Sequence, residues 1–347
     1  MRKRGGTLRA GVIGIGIGSH HMRGYATHPR CELVAVCDLN VDRAKALAEK
    51  YGATYVFRDY RQLVSMDELD IVSVATPNYL HARMAIAALR AGKDVLCEKP
   101  MATRLADAEA MVAEARKAKK RLMIDMSYRF NPLQQEMRRR IERGDLGEIY
   151  YAKSHYTRRK GIPFGASAWF VSKRMAGGGP SVDLAVHAFD LVWWQMGSPK
   201  PTWVVGSMYD KLLPARAAKA GVVGDVDDLA AGMVKFDTGQ TIFFEASWDG
   251  HIPGHEGYEI YGTKGGAACW DWESNLKMVQ YADDKRGKSV DRPVKATGKG
   301  VNAFWHFVDA CLDRRMKMLA SGEECVHVAR VLDALNRSQR TGKPIKL

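Results

Sequence analysis

The stretch Gly11-Val12-Ile13-Gly14-Ile15-Gly16-Ile17-Gly18-Ser19 decides the reading of the first third of the chain. An apolar run, LRAGVIGI from Leu8, has the composition of a buried strand, and a helical pattern follows the glycines. The turn nearly fits G-x-G-x-x-G, with Ser19 in the third glycine position and an additional Gly18 before it. Gly14 permits a tight turn, and Gly16 lets the backbone approach a pyrophosphate. A helix opening through Ile17, Gly18 and Ser19 offers unpaired N–H groups to phosphates. Asp38 lies 24 residues beyond Gly14, at the end of the second apolar run. A carboxylate there accepts hydrogen bonds from both ribose hydroxyls of NAD and repels the 2′-phosphate of NADP, so the expected cofactor is NAD rather than NADP. The bland alternative for Asp38 is a turn residue before Leu39-Asn40.

Outward from this turn, short apolar runs alternate with helical patterns as far as Met126. ELVAVCD, TYVF, DIVSVAT, DVLCE and LMIDM read as strands, and VDRAKALAEKYG, YLHARMAIAALRAG and ADAEAMVAEARKAK as helices. Near-continuous apolar strands separated by helices predict a doubly wound parallel sheet covered on both faces. Two more strand ends carry polar groups where such sheets bind ligands: Thr76-Pro77-Asn78 followed by His81, and Glu98-Lys99-Pro100. Asn78 has helix capping as its simpler role. Lys99 follows an apolar strand directly and Pro100 restricts its backbone, which makes it a candidate catalytic group.

The pattern changes after Tyr128-Arg129-Phe130-Asn131-Pro132. EIYYAKSHYT, TWVVGSMY, DLAAGMVKF, TIFFEASW and YEIYG alternate apolar and polar residues, as one-sided antiparallel or mixed sheets do, with a hairpin turn at Asp237-Thr238-Gly239-Gln240. The division expected is a dinucleotide-binding domain over 1–127 and a substrate-binding and oligomerisation domain over 128–347. Within the second lies GGGPSVDLAVHAFD, from Gly177 to Asp190. Read as one helix, it puts Asp183 and His187 four residues apart on one face. A carboxylate beside an imidazole raises its basicity, a histidine can take an alcohol proton as hydride leaves the same carbon, and Lys99 can stabilise the resulting alkoxide-like oxygen. A buried helix histidine satisfied by Asp183 is the structural alternative.

Composition excludes several other classes. With 347 residues, 46% of them hydrophobic, two domains with packed cores are expected. The apolar run near the N-terminus is short, glycine-rich and lacks a cleavage site, which argues against a signal peptide, and no stretch is long enough to span a membrane. Six scattered cysteines without a C-x-x-C pair imply reduced thiols and a cytoplasmic protein. His251 and His255 lack a third ligand of suitable spacing, so no metal is expected. The net charge of +14 is dispersed, without aromatic–basic interleaving, and is read as a solvated basic surface rather than a nucleic-acid site.

GVIGIGIGS, ATPNYLH, CEKPMA and GGGPSVDLAVHAFDL, with IYGTKG and RSQRTGKPIKL near the end, resemble the glucose-fructose oxidoreductase/inositol dehydrogenase (Gfo/Idh/MocA) family of NAD(P)-dependent sugar and polyol oxidoreductases. The resemblance implies a Rossmann domain, a C-terminal α/β domain with an open, mostly antiparallel sheet, and a homodimer or homotetramer. It implies Lys99, Asp183 and His187 as the catalytic group, with His187 the acid/base, and Arg129 lining the cleft. Before the catalytic segment, Trp169 has a face suited to stacking on a sugar ring, and Arg159 or Lys160 can hold hydroxyls or an anionic group. The expected substrate is a sugar, glycoside, anhydrosugar or cyclic polyol. Two alternatives use the same parts: redox-neutral glycoside hydrolysis with bound NAD, and a non-catalytic dinucleotide-binding sensor.

Overall fold

The computed structural model describes residues 6–271, 278–296, 300 and 302–347. Two compact units emerge, Met1–Asp125 with Val301–Val326, and Met126–Gly300 with His327–Leu347. The sequence-based division had placed 301–326 in the second domain. These residues belong with the first unit because of what they touch. The Phe304 ring packs 4.4 Å from the His21 ring, over Gly24, where a Cβ would come within 2.6 Å of Phe304. Arg314 pairs with the buried Asp94, and Ser321 bridges Met123.

In the first unit the strands are β1 (Leu8–Ile13), β2 (Cys31–Cys37), β3 (Tyr55–Phe57), β4 (Ile71–Val74), β5 (Asp94–Cys97) and β6 (Leu122–Ile124). All pair in parallel, in the order β3-β2-β1-β4-β5-β6, which is the Rossmann order with its reversal between β1 and β4. Every residue of β4 and β5 is buried, as expected for strands covered on both faces. The helices Val41–Tyr51, His81–Arg90 and Leu105–Ala118 match the periodic segments, and left-handed Gly52 terminates the first of them.

The second unit is built on nine strands: β7 (Ile149–Thr157), β8 (Pro201–Tyr209), β9 (Leu229–Phe236), β10 (Thr241–Ser247), β11 (His255–Gly262), β12 (Gly265–Cys269), β13 (Met278–Asp283), β14 (Ser289–Pro293) and β15 (Ile345–Lys346). Their order is β14-β13-β12-β11-β7-β10-β9-β8-β15. All neighbours are antiparallel except β7 and β10, which run parallel at the centre. The helix Ala185–Gln195, buried along its whole length, lies against β7, β10 and β11. Ala152, Ile242, Phe244 and Ile260 are buried, while their neighbours Tyr151, Phe243 and Tyr261 are only half-buried. That alternation is the one-sided pattern read from the sequence.

Candidate active site

In the first unit the polar groups gather beyond the carboxyl ends of β1, β2, β4 and β5. Gly14 has φ +89°, and a Cβ on it would lie 2.3 Å from the Ala75 carbonyl oxygen, so only glycine fits. Nothing lies within 4 Å of where a Gly16 Cβ would be, which leaves the backbone there open to a ligand. Gly18 opens the helix Gly18–Thr27, and a Cβ on it would meet Val12 and Ala75 at 3.1 Å. The helix-to-strand packing role therefore falls to Gly18, not to Ser19, whose hydroxyl turns back to the Gly16 carbonyl at 3.0 Å. No side chain caps this helix; its Ser19 and His20 N–H groups turn back to the Gly16 and Ile17 carbonyls at 3.4 and 2.9 Å, and the dipole of its N-terminus favours an anion. Exposed Ile17 stands at its entrance, and Thr76 Oγ1, at the end of β4, is buried without a hydrogen-bond partner. These features fit a dinucleotide.

Asp38 follows β2 directly. Its carboxylate accepts the Ile15 N–H at 3.0 Å and the Asn40 N–H at 2.8 Å, which ties the second strand's end to the glycine turn. Asp38→Ala is expected to lower the preference for NAD over NADP at least several-fold. Equal discrimination in variant and parent, by fluorescence titration with each cofactor, would remove Asp38 as the ribose ligand.

Four further residues expected at the cofactor take different positions. His81 is fully buried, and its two ring nitrogens lie 2.8 Å from the carbonyl oxygens of Thr76 and Pro100. It clasps the segments after β4 and β5 to each other and has no surface to offer a ligand. Burial lowers its pKa, against the pull of the two carbonyls. Asn78 is buried beside it, while Pro77 is half-buried. Glu98 faces inward: Oε1 meets His21 Nε2 at 3.0 Å, and Oε2 accepts the Lys99 N–H at 3.2 Å.

His21, Glu98 and Asp125 form a buried cluster whose ligand-type atoms all lie within 4.8 Å of one another. Burial, helped by the Glu98 charge, pushes Asp125 up to about 7, whereas Glu98, despite its own burial, is held low by the His21 hydrogen bond. Sequence reasoning found Glu98 and Lys99 but not His21 or Asp125, which carry no local signal.

In the second unit the GGG segment is a built turn. Gly179 N–H and Ser181 N–H donate to the buried Asp227 carboxylate at 2.8 and 2.9 Å, and the Ser181 hydroxyl donates at 2.7 Å. A Cβ at Gly179 would fall 1.9 Å from the Asp227 carbonyl oxygen. The segment after it is two helices, Pro180–Asp183 and Ala185–Gln195, rather than one. They join at Leu184, whose carbonyl accepts from both His187 N–H and Ala188 N–H. Asp183 thus closes the first helix and His187 lies in the first turn of the second. Asp183 Oδ2 accepts the indole N–H of Trp248 at 3.0 Å. The ring of His187 meets that of Tyr128 edge to face, with centroids 4.8 Å apart.

The flanking expectations divide. Arg129 is fully buried and bidentate on Asp190, at 2.8 Å from Nε and 2.6 Å from Nη2, with Trp193 and Trp194 under its guanidinium. These partners all belong to the second unit. Arg159 and Lys160 are exposed. The charge of their half-buried neighbour Arg158 reaches Asp183. Trp169 is half-buried and stacks on Phe170 at 3.9 Å.

A Rossmann sheet with an open glycine turn, joined in one chain to a nine-stranded sheet carrying an Asp–His segment, defines a two-domain dinucleotide-dependent oxidoreductase. The chain belongs to the Gfo/Idh/MocA oxidoreductase family: residues 8–126 match its NAD-binding Rossmann-fold domain and residues 134–268 a GFO/IDH/MocA C-terminal domain. It is 30% identical to D-glucoside 3-dehydrogenase of Escherichia coli (strain K12), over 98% of this chain and 97% of that one. It is 29% identical to levoglucosan dehydrogenase of Pseudarthrobacter phenanthrenivorans, covering 83% and 80%. A solved structure of levoglucosan dehydrogenase in complex with NADH and levoglucosan superposes with a TM-score of 0.86 at 25% identity, over 98% of this chain and 99% of that one. Among the described residues no helix is long and apolar enough to cross a membrane.

Proposed function

We propose that this chain is an NAD-dependent dehydrogenase acting on a ring hydroxyl of a sugar, glycoside, anhydrosugar or cyclic polyol. The observation that carries this reading is its similarity, along nearly the whole of both chains, to a protein named D-glucoside 3-dehydrogenase. The glycine turn, the helix start at Gly18, Asp38 and Thr76 are the groups that would hold NAD, which supplies the hydride acceptor when bound. His187 takes the substrate's hydroxyl proton on its unprotonated ring nitrogen. Asp183 favours the imidazolium that forms, and the Lys99 ammonium stabilises negative charge developing on the substrate oxygen. Trp169 and Arg159 remain the proposed sugar contacts from the loop before the Asp–His segment.

The test is NADH absorbance with purified protein, NAD⁺ and a panel of methyl glucosides, levoglucosan and inositols. Sugar-dependent NADH formation is the expected result. NAD binding without NADH formation from any compound would sink the dehydrogenase reading.

The face of the nine-stranded sheet opposite the helix Ala185–Gln195 supports self-association. Trp203, Met233, Phe243, Tyr151 and Tyr261 are half-buried there, and Trp270 and Tyr281 flank a groove of about 480 Å³ over Gly265 and Gly266. Sedimentation velocity at micromolar concentration is expected to give a dimer or tetramer; a 38.6 kDa species alone would refute it.

A further inference from the structure

β7 and β10 run parallel in register, Thr157 beside Ser247. The next residue on each, Arg158 and Trp248, therefore leaves the sheet side by side. Arg158 N–H donates to the Ser247 carbonyl at 2.8 Å, Gly250 N–H returns to the Arg158 carbonyl at 2.9 Å, and Trp248 N–H donates to the Asp228 carbonyl at 3.1 Å. The backbone beneath both side chains is thus fixed by the sheet.

Trp248 is fully buried, and its single polar atom, Nε1, donates to Asp183 Oδ2 at 3.0 Å. An indole N–H buried without an acceptor would cost roughly 1–3 kcal/mol, so the contact constrains both partners. The half-buried Arg158 guanidinium lies over the Tyr156 ring, donates to its hydroxyl at 3.4 Å, and is near enough for its charge to act on Asp183. The Tyr156 hydroxyl also bonds to that of Tyr128, whose ring meets His187. Glu256, from β11, also acts on Arg158 and Tyr156 through its charge. Asp183 has its backbone pinned by the Gly179–Asp227 turn. The indole N–H donor stabilises the carboxylate anion and restricts its rotation, and the Arg158 charge adds electrostatic stabilisation.

We propose that Trp248 and Arg158 are positioning residues that hold Asp183 as an oriented anion for His187, an inference that rests on the reading of His187 as the acid/base. Trp248 sets where the negative charge sits, and Arg158 limits how strongly that charge acts on the imidazole. Substituting the two therefore moves the histidine in opposite directions. Trp248→Phe frees the carboxylate from its place and weakens its hold on the imidazolium. Arg158→Gln removes a cation from the neighbourhood and strengthens it.

The experiment is a histidine NMR titration of the full-length, cofactor-free protein, with the His187 signal among the ten histidines identified by its loss in His187→Asn. The apparent pKa of His187 is expected to fall by about one pH unit in Trp248→Phe and to rise by about half a unit in Arg158→Gln. A purely structural role for the two residues predicts no such opposed pair. Should Trp248→Phe fail to fold, Arg158→Gln, at a half-buried position, decides alone. A His187 titration that Arg158→Gln leaves unmoved, in a protein of parental Tm, overturns the proposal. The titration needs no substrate, so it is read separately from turnover. If His187→Ala retained activity, the acid/base reading would fail even where the clamp held.

Discussion

His187→Ala is expected to lower kcat by about 10²–10⁴-fold while the affinity for NAD stays within a factor of about two. The split follows from where the residues lie. The dinucleotide features, from Gly14 to Thr76, belong to the first compact unit, and His187 belongs to the second. His187 is almost wholly buried, sits in the first turn of a fully buried helix and has the Tyr128 ring against its face. An alanine there keeps the helix and removes the imidazole, with its contact to the Tyr128 ring. Steady-state NADH formation on the best glycoside or polyol, beside fluorescence titration of the cofactor, measures both quantities. Parental turnover in the variant would remove His187 as the acid/base, and a large loss of NAD affinity would mean that it serves the cofactor instead.

Arg129→Ala is expected to destabilise the protein by about 3–5 kcal/mol, because it strands the Asp190 carboxylate inside the second unit without its partner. The guanidinium is bidentate on Asp190 and lies 5.8 Å from the centroids of both Trp193 and Trp194, so the change also removes packing. Urea unfolding followed by tryptophan fluorescence reads the loss. The double variant Arg129→Met with Asp190→Leu is expected to recover most of it, since it buries no lone charge. A single variant with parental stability and a raised KM would return Arg129 to the substrate site.

The two halves of the fold were legible to different degrees, for physical reasons. Strands covered on both faces must be apolar throughout, and β1, β2, β4, β5 and β6 all appear in the sequence as short apolar blocks. In the second unit, alternation revealed β7 to β11, and Asp237–Gln240 forms the expected turn, with Gly239 at φ +83°. β12 is Gly-Gly-Ala-Ala-Cys, and β14 is an edge strand, exposed along most of its length, so neither has a strong pattern, and β13 between them was missed with them. The parallel pairing of β7 with β10 joins segments about 90 residues apart, which periodicity does not reveal. The segment holding Asp183 and His187 was legible as a glycine turn leading into helix, though it is two helices where one was read. Trp248 and Arg158 were not, because each looks like an ordinary strand-end residue until β7 and β10 lie side by side.

The return of residues 301–326 to the first unit has a consequence for how the protein is made. When a ribosome has released the sixth strand at Ile124, the nucleotide-binding unit still lacks Phe304, which covers His21 and Gly24, and Arg314, which neutralises Asp94. Roughly 200 more residues must be synthesised first, a delay of about 10–40 s at ordinary elongation rates. During that interval the nascent Rossmann sheet presents an uncovered apolar patch and a buried-type aspartate without its arginine. A segment made late, 301–326, is thus needed to complete the unit that is made first, and a fragment ending near residue 127 carries the same defect permanently.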